Sequence, residues 1–306
     1  MYLYVDMRGF VLVFCLLGAW GAQAQSDTAD WWGRYDDTLS FRDGRIAVKK
    51  ADKWGLVDTN GRKILPVEYY LLSDLLGRFT RGEKDGKWGL IDNTSGRMVI
   101  PFIYDEFGKF YAGRAGVKKN GKWGFVDTNG QEVVPLIYGQ VWYFNDTRAW
   151  VMKDGKWGLI DTNGRLVVPM VYDQVVRFYI RRTSVKKDGK WGLLDDISGR
   201  LVVPVVYDQF EHFYPGQVKV KKDGKWGVLD TNWRLVIPLV YDKINKLTVD
   251  KHVKVRRKGK WGILDKSGQV VVPLVYDEIG YFLEGRTLVE KDGEQYFIDS
   301  AGHRLD

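Results

Sequence analysis

The sequence has few of the residues that carry most enzyme chemistry. It contains one cysteine, Cys15, and three histidines, His212, His252 and His303, among 306 residues. A single cysteine excludes an intramolecular disulfide, and no two histidines have the spacing of metal ligands. No serine lies in a nucleophile-elbow motif. These absences argue against catalysis, and we expect no enzyme activity, metal or cofactor.

The N-terminal residues have the features of a secretory signal. Arg8 precedes an apolar stretch, residues 10–20, and Ala22-Gln23-Ala24 has the small-x-small form of a signal-peptidase site. The apolar stretch is too short for a bilayer span, which takes about 20 helical residues. We therefore predict a signal peptide over residues 1–24 and an exported mature chain that is periplasmic, secreted or at the cell surface, without a transmembrane span.

One pattern recurs along nearly the whole chain. Seven Trp-Gly pairs recur at spacings of 34 or 35 residues, a proline follows each of these tryptophans by 12 or 13 residues, and a tyrosine lies three residues beyond each of these prolines. A degenerate eighth copy covers residues 292–299. A fixed period of this length is the signature of a repeat architecture. The seven tryptophans, which we interpret as structural anchors, are Trp54, Trp88, Trp123, Trp157, Trp191, Trp226 and Trp261.

Residues 185–209 show which turns and strands the sequence of one repeat predicts. Asp188-Gly189 separates two short β-forming runs and predicts a hairpin turn with positive φ at both residues. A second turn, at 196–199, precedes a third strand that we expect Pro204 to end, because proline has no N–H to donate. The unit is therefore predicted to contain three strands, and its apolar residues lack the periodicity of an α-helix.

Two further expectations concern the repeated residues. The aspartate that follows each Trp-Gly run, such as Asp195, is predicted to accept N–H groups of the second turn. Glycine inside a strand marks a close approach of another group, and we expect an aromatic ring, the repeat tyrosine, to lie over each Trp-Gly glycine.

The pattern Lys-Trp-Gly-Leu-[Ile/Val/Leu]-Asp-Thr-Asn-Gly-Arg-x-Val-Val-Pro-x-x-Tyr-Asp resembles the WG-repeat, or KWG-repeat, family of bacterial proteins. The resemblance covers roughly residues 41–305. It implies a β-rich repeat protein, often exported, with no established catalytic activity or cofactor.

The expected fold is all-β, a tandem array of short hairpin or meander units that is open and solenoid-like. A closed propeller-like ring is the alternative. The open array is favoured because the units are shorter than the roughly 40–45 residues of common propeller blades. The predicted layout is a linker or cap over residues 25–40 and one repeat domain over residues 41–306, with seven WG repeats and one degenerate repeat.

Two sets of residues are candidates for ligand binding. Cations precede the first hairpin turn of many repeats and would align into a basic stripe if the repeats stack; the alternative is that they keep exposed hairpins soluble and protect their edges. Aromatic residues that break the repeat form the second set, with local packing as the alternative. The two sets comprise Lys118, Lys119, Lys186, Lys187, Lys221, Lys222, Arg256 and Arg257, and Trp142, Tyr143 and Trp150.

The net charge of +8 suits an acidic partner but is too mild to predict nucleic-acid binding. The expected function is therefore an exported, non-enzymatic scaffold that binds a protein or an acidic or glycan envelope polymer. The alternative is a purely structural envelope or surface component without a discrete ligand.

Overall fold

The computed structural model describes residues 31–40, 44–74, 77–179, 181–247 and 252–305. The predicted signal peptide lies outside the described residues. A short 3₁₀ helix, Trp32–Arg34, precedes a succession of four-stranded antiparallel sheets.

Each sheet is a meander of four strands that follow one another in the chain. Sheets 1 to 4 consist of β1 (Asp37–Ser40), β2 (Arg45–Lys50), β3 (Lys53–Asp58) and β4 (Lys63–Tyr69); β5 (Leu71–Asp74), β6 (Phe79–Lys84), β7 (Lys87–Asp92) and β8 (Met98–Tyr104); β9 (Glu106–Tyr111), β10 (Arg114–Lys119), β11 (Lys122–Asp127) and β12 (Glu132–Tyr138); and β13 (Gln140–Val141), β14 (Arg148–Lys153), β15 (Lys156–Asp161) and β16 (Leu166–Tyr172). Sheets 5 to 8 consist of β17 (Gln174–Tyr179), β18 (Arg182–Lys187), β19 (Lys190–Asp195) and β20 (Leu201–Tyr207); β21 (Gln209–His212), β22 (Val218–Lys222), β23 (Lys225–Leu229) and β24 (Leu235–Tyr241); β25 (Lys243–Lys246), β26 (Val253–Arg257), β27 (Lys260–Leu264) and β28 (Val270–Tyr276); and β29 (Glu278–Ile279), β30 (Arg286–Lys291), β31 (Glu294–Asp299) and β32 (Arg304–Leu305).

The sheets form an open tandem array, as predicted. Within the described residues, the principal contacts between sheets join each sheet to the next, for example β11 to β13 and β15 to β17. Cores form between neighbours: one cluster combines Leu90 and Ile100 of sheet 2 with Phe107, Ala115 and Val117 of sheet 3. Each sheet thus packs against the next one along the chain, as repeats do in a solenoid.

Polar contacts also join successive sheets at the start of the second strand. The Arg114 guanidinium donates to the carbonyl oxygen of Thr162 at 3.0 Å, and Gln217 donates in the same way to Lys266 at 3.2 Å. Each acceptor belongs to the turn before the fourth strand of the next sheet. These contacts satisfy turn carbonyls that strand pairing leaves free.

The prediction of three strands per unit was wrong, because the segment after each repeat tyrosine adds a further strand. Residues 174–179 form β17, which pairs with β18 at the edge of sheet 5. The expectation that proline ends its strand was also wrong: β20 runs through Pro204 to Tyr207. Because β20 lies at the other edge of the sheet, the missing N–H of proline costs no ladder bond.

The Trp-Gly glycine makes room for a bulge around that proline. Trp191 faces Tyr207 and Leu193 faces Val203, so Gly192 alone lies opposite the segment between them. A Cβ on Gly192 would meet the Val203 carbonyl oxygen at 2.8 Å. The close neighbour is therefore backbone of the fourth strand and not the ring of the repeat tyrosine. A ring, that of Phe102, is among the nearest neighbours only at Gly89 of the seven Trp-Gly glycines, so the expectation of a ring over each glycine was wrong.

The repeat tyrosines are more buried than the repeat tryptophans, which the sequence analysis interpreted as the structural anchors. All seven repeat tyrosines are buried, including Tyr138 and Tyr276, whereas Trp157 and Trp261 are the only buried repeat tryptophans and the others are half-buried. Each tryptophan lies opposite its tyrosine across the two strands, as Trp157 does with Tyr172. The tyrosine is therefore the more deeply buried residue of each pair.

The hairpin turns have the predicted conformation. Asp188 and Gly189 have φ of 50° and 79°, and the turns of sheets 2 to 8 repeat this geometry. Sheet 1 differs, because Ala51 and Asp52 occupy the turn with φ of 47° and 63° and no glycine.

We therefore expect Asp52→Gly to stabilise the protein by roughly 0.5–1 kcal/mol, since glycine adopts positive φ without steric cost. Denaturant unfolding of the two proteins measures the difference. The matched change Gly189→Ala, which creates the same conflict in sheet 5, is expected to destabilise by a similar amount. Equal stability of all three proteins would contradict the assignment of strain to this turn.

Candidate binding surface

In five of the described sheets, the lysine that follows the hairpin turn is part of a three-group contact that we call the clamp. The Asp173 carboxylate, which lies between sheets 4 and 5, accepts a hydrogen bond from Lys156 of sheet 4 and one from the backbone N–H of Asp188 in the hairpin turn of sheet 5, the latter at 2.9 Å. The clamp therefore links successive sheets. The described part of the chain contains five clamps, centred on Asp105, Asp173, Asp208, Asp242 and Asp277.

The clamp shifts the titration of its members in the direction that stabilises the charged pair. The hydrogen bond from Lys156 lowers the pKa of Asp173 below its usual value, and the N–H of Asp188 adds to the effect. The same bond raises the pKa of Lys156. Both groups are thus held charged at neutral pH.

A lowered carboxyl pKa in the folded state stabilises the protein above the ordinary pKa near 4, and this stabilisation is lost as the pH falls through the folded-state value. We expect wild type to melt at a higher temperature than Asp173→Asn at pH 6, with a smaller difference at pH 3, because the stabilisation from the ionised carboxylate decreases as the pH falls below the ordinary pKa. Thermal melts of both proteins at the two pH values measure this. If the difference in melting temperature were the same at pH 6 and pH 3, the stabilisation could not be attributed to the charge of Asp173.

The first cation of the pairs before each turn covers the tryptophan of its own sheet. The Lys186 ammonium lies 5.3 Å from the centroid of Trp191, and Lys118 lies 5.7 Å from that of Trp123. Lys221 and Arg256 stand in the same way over Trp226 and Trp261. Their aligned positions follow from the strand register, and cation–π contact accounts for them without a ligand.

The second cation of each pair points away from the core. Lys187 and Arg257 are exposed, and Lys119 and Lys222 are half-buried. Each lies directly opposite the lysine after the turn, as Lys119 does with Lys122. These four second cations form the part of the predicted basic stripe that is available to a partner.

The three candidate aromatics divide into core and surface. Trp150 is 3% exposed, and its indole N–H donates to the Thr183 hydroxyl at 3.1 Å and the Asp196 carboxylate at 3.4 Å. Trp142 is half-buried, with its ring 5.7 Å from that of Trp157. Local packing accounts for these two residues.

Tyr143 lies on the surface, in a contact that sequence reasoning missed. Its ring stacks on that of Tyr111 with 4.5 Å between centroids, and the Arg177 guanidinium lies 4.9 Å from it and donates to its hydroxyl at 2.5 Å. Tyr111 is 41% exposed and Tyr143 46%. We call Tyr111, Tyr143 and Arg177, which come from sheets 3, 4 and 5, the aromatic–cation stack.

The recurring aspartates have the predicted turn role. The Asp195 carboxylate accepts the backbone N–H groups of Ile197 and Ser198, at 3.1 and 2.7 Å. The related Asp92 is nearly buried. Burial alone would raise its pKa, but hydrogen bonds from Arg78 and from turn N–H groups outweigh this and lower the pKa to about 2.

No group of three or more His, Cys, Asp or Glu in the described ranges is arranged to hold a metal ion. No helix in this part of the chain has the length and apolar character needed to cross a bilayer.

The meander unit and its joints between sheets define a tandem-repeat protein built from four-stranded β-sheets. The chain belongs to the WG-containing repeat family, whose model matches residues 33–54, 54–74, 88–123, 123–157, 157–191, 191–226, 226–261 and 261–294. The resemblance drawn from the sequence is thereby confirmed.

Other comparisons are distant. A search of curated protein sequences found no significant match. Solved structures with partial similarity include a eukaryotic initiation factor (11% identity, 88% of this chain and 86% of that one, TM-score 0.35), Kluyveromyces lactis Hsv2 (8%, 69% and 86%, 0.31) and the dihydro-heme d1 dehydrogenase NirN (14%, 86% and 72%, 0.30). TM-scores of this size do not establish a shared fold.

Proposed function

We propose that the protein is an exported, non-catalytic scaffold that binds an acidic cell-envelope polymer through the aromatic–cation stack and the second cations of the hairpins. The observation that carries the proposal is the stack itself. Tyr111 and Tyr143 keep two large rings at the surface, and Arg177 is fixed against one of them by a hydrogen bond. Exposed tyrosine and arginine held in place are typical of binding surfaces.

The chemistry of the stack suits an acidic glycan. Aromatic rings pack against the apolar faces of sugar rings, and guanidinium groups pair with carboxylates in a two-pronged geometry. The chain has a formal net charge of +8, which favours encounter with a polyanion. A protein partner with an acidic surface would use the same groups and is one outcome of the test.

The test is binding to polygalacturonate and to a neutral glucan, by titration calorimetry at low and at physiological salt. We expect binding to the acidic polymer only, weakening as salt increases because exposed charges are screened. The variant Tyr143→Ser with Arg177→Gln should reduce affinity at least tenfold without changing the melt. Tyr281→Ser, at a tyrosine that is 88% exposed in sheet 8 and outside the stack, is the matched control. Equal affinity of the two variants would contradict a role for the stack.

A purely structural role is the second candidate, and the clamps favour it. Lys156 and its equivalents join sheets, and Lys186 and its equivalents cover tryptophans, so many cations have a structural use. Reversing the charge of Lys187 and Lys222 separates the two functions. A scaffold that binds an acidic polymer should lose affinity, whereas a structural component should show no binding before or after the change.

Export is part of the proposal and rests on Arg8, the apolar stretch over residues 10–20 and Ala22-Gln23-Ala24. N-terminal sequencing of protein recovered from the cell envelope or medium should begin near Gln25. Recovery of the uncleaved form from the cytosol would count against export.

A further inference from the structure

One junction between sheets has a clamp from which the carboxylate is missing. The aspartate after the repeat tyrosine is Asp105, Asp173, Asp208, Asp242 or Asp277 at five junctions, but Gly139 occupies this position between sheets 3 and 4. The first junction also differs, since Tyr70 replaces the aspartate there and the Lys53 ammonium lies over its ring, 2.8 Å from the centroid.

The backbone at Gly139 is the same as at an intact clamp. The N–H of Gly139 donates to the Met152 carbonyl at 2.8 Å, just as the N–H of Asp173 donates to the Lys186 carbonyl at 2.8 Å. The turn that follows is also equivalent, since Asp154 and Gly155 have φ of 52° and 75°, close to those of Asp188 and Gly189. The backbone around the missing carboxylate is therefore the same at the two junctions.

The two groups that bind the carboxylate elsewhere are present and without a partner here. Lys122 is exposed and corresponds to Lys156, and no ion pair or hydrogen bond involves its ammonium among the described residues. The backbone N–H of Asp154 corresponds to that of Asp188, and within the described chain it too has no acceptor. A lysine and a backbone N–H group thus occupy the same positions in their sheets as the two groups that bind Asp173.

The space for a carboxylate is open. A Cβ built on Gly139 would have the Met152 Cε as its nearest neighbour at 3.5 Å, an ordinary contact distance. The hairpin turn before Lys122 carries Asn120 where sheets 2, 4, 5, 6 and 8 have aspartate, so this turn contributes no carboxylate of its own beside Lys119 and Lys122.

We propose that this junction is a binding site for the carboxylate of an external ligand, with Lys122 pairing with one oxygen and the Asp154 N–H donating to the other. The ligand takes the place that an aspartate side chain fills at the neighbouring junctions. The site is separate from the aromatic–cation stack and does not depend on the function proposed for it. Because the groups are exposed, a single carboxylate binds weakly, in the millimolar range, and a polymer that carries several gains by multivalency.

The test follows the backbone amide of Asp154 in ¹H–¹⁵N spectra of the full chain during titration with sodium glucuronate. We expect a saturable shift of this signal, and none with methyl glucoside, which has no carboxylate. Lys122→Met should abolish the saturable shift. N-acetyl-aspartate in place of glucuronate shows whether the site accepts a peptide carboxylate as well as that of a sugar acid.

Two reciprocal variants make the test specific. Gly139→Asp supplies the carboxylate within the chain, so the Asp154 signal should be shifted before any addition and should no longer respond. Asp173→Gly removes a carboxylate from an intact clamp and should create a second responsive signal, that of Asp188. A glucuronate response at Asp154 that persists unchanged in Gly139→Asp, or no response at either position, would overturn the proposal.

Discussion

Alanine in place of Gly124 is expected to destabilise the protein by about 3 kcal/mol or more. A Cβ at this position would lie 2.5 Å from the Val134 carbonyl oxygen and 2.8 Å from the carbonyl carbon of Pro135. Both neighbours are backbone, which cannot rotate away as a side chain can, so the bulge of β12 would have to move. Overpacking against a fixed neighbour costs about 1–3 kcal/mol and occasionally more.

The control is Gly116→Ala in the adjacent strand of the same sheet. Its Cβ would meet the Val141 side chain at 3.4 Å, an ordinary contact. Alanine there is expected to be neutral or slightly stabilising, because it lowers the entropy of the unfolded chain. Denaturant unfolding of wild type and both variants gives the comparison. Similar values for the two variants would show that the Trp-Gly glycine is not required by the bulge.

Trp150→Ala is expected to lower the stability by about 3–5 kcal/mol, the range for removal of a large buried aromatic side chain. The indole lies between sheets 4 and 5 and donates to Thr183 and Asp196. Trp150→Phe keeps most of the apolar volume but leaves the buried Asp196 without its indole donor. We expect it to cost less, about 1–3 kcal/mol.

Chemical denaturation of the two variants measures both losses, and Tyr143→Ser provides an exposed aromatic for comparison. A loss below about 1 kcal/mol for Trp150→Ala would mean that Trp150 is not a core residue. The sequence interpretation, in which Trp150 is part of a binding surface, predicts reduced binding with an unchanged melt.

The repeating part of the fold could be predicted because short sequence segments within each repeat determine its turns and strands. Asp188-Gly189 predicts a hairpin, and the tryptophan, proline and tyrosine of each repeat recur at nearly constant distances, which predicts the same sheet every 34 or 35 residues. The first strand of each sheet was missed because its residues share little: β17 contains Val175 and Val176 where β21 has Phe210 and Glu211. The position of that strand is set by the tyrosine and aspartate before it, not by a pattern of its own.

The clamps were missed for a different reason. They combine a lysine, an aspartate 17 or 18 residues later and a backbone N–H a further 15 or 16 residues on, so no short segment contains the contact. Gly139 is visible in the sequence as a departure from Tyr-Asp. Its meaning appears only once Asp173 is seen between Lys156 and the turn of the next sheet.

Residue type alone did not predict which candidate residues are exposed on the surface. Lys186 and Lys187 are adjacent and both basic, yet one covers Trp191 and the other is exposed. Trp150 and Tyr143 both break the repeat, yet the first is core and the second is surface. Which side of the sheet a residue faces depends on the strand register, and the bulges in β16 and β20 shift that register.

The central claim is that each sheet depends on its immediate neighbours and that the array is open. Deleting residues 157–190 removes one complete repeat and joins Lys156 to Trp191, so that Lys156 takes the place of Lys190 in its clamp with Asp208. The most direct measurement is a circular dichroism melt of this deletion beside wild type. We expect a folded β protein with a cooperative transition close to that of wild type, because the new neighbours carry equivalent faces. Loss of the transition, or aggregation of the deletion protein, would contradict an open array and favour a ring that one missing repeat prevents from closing.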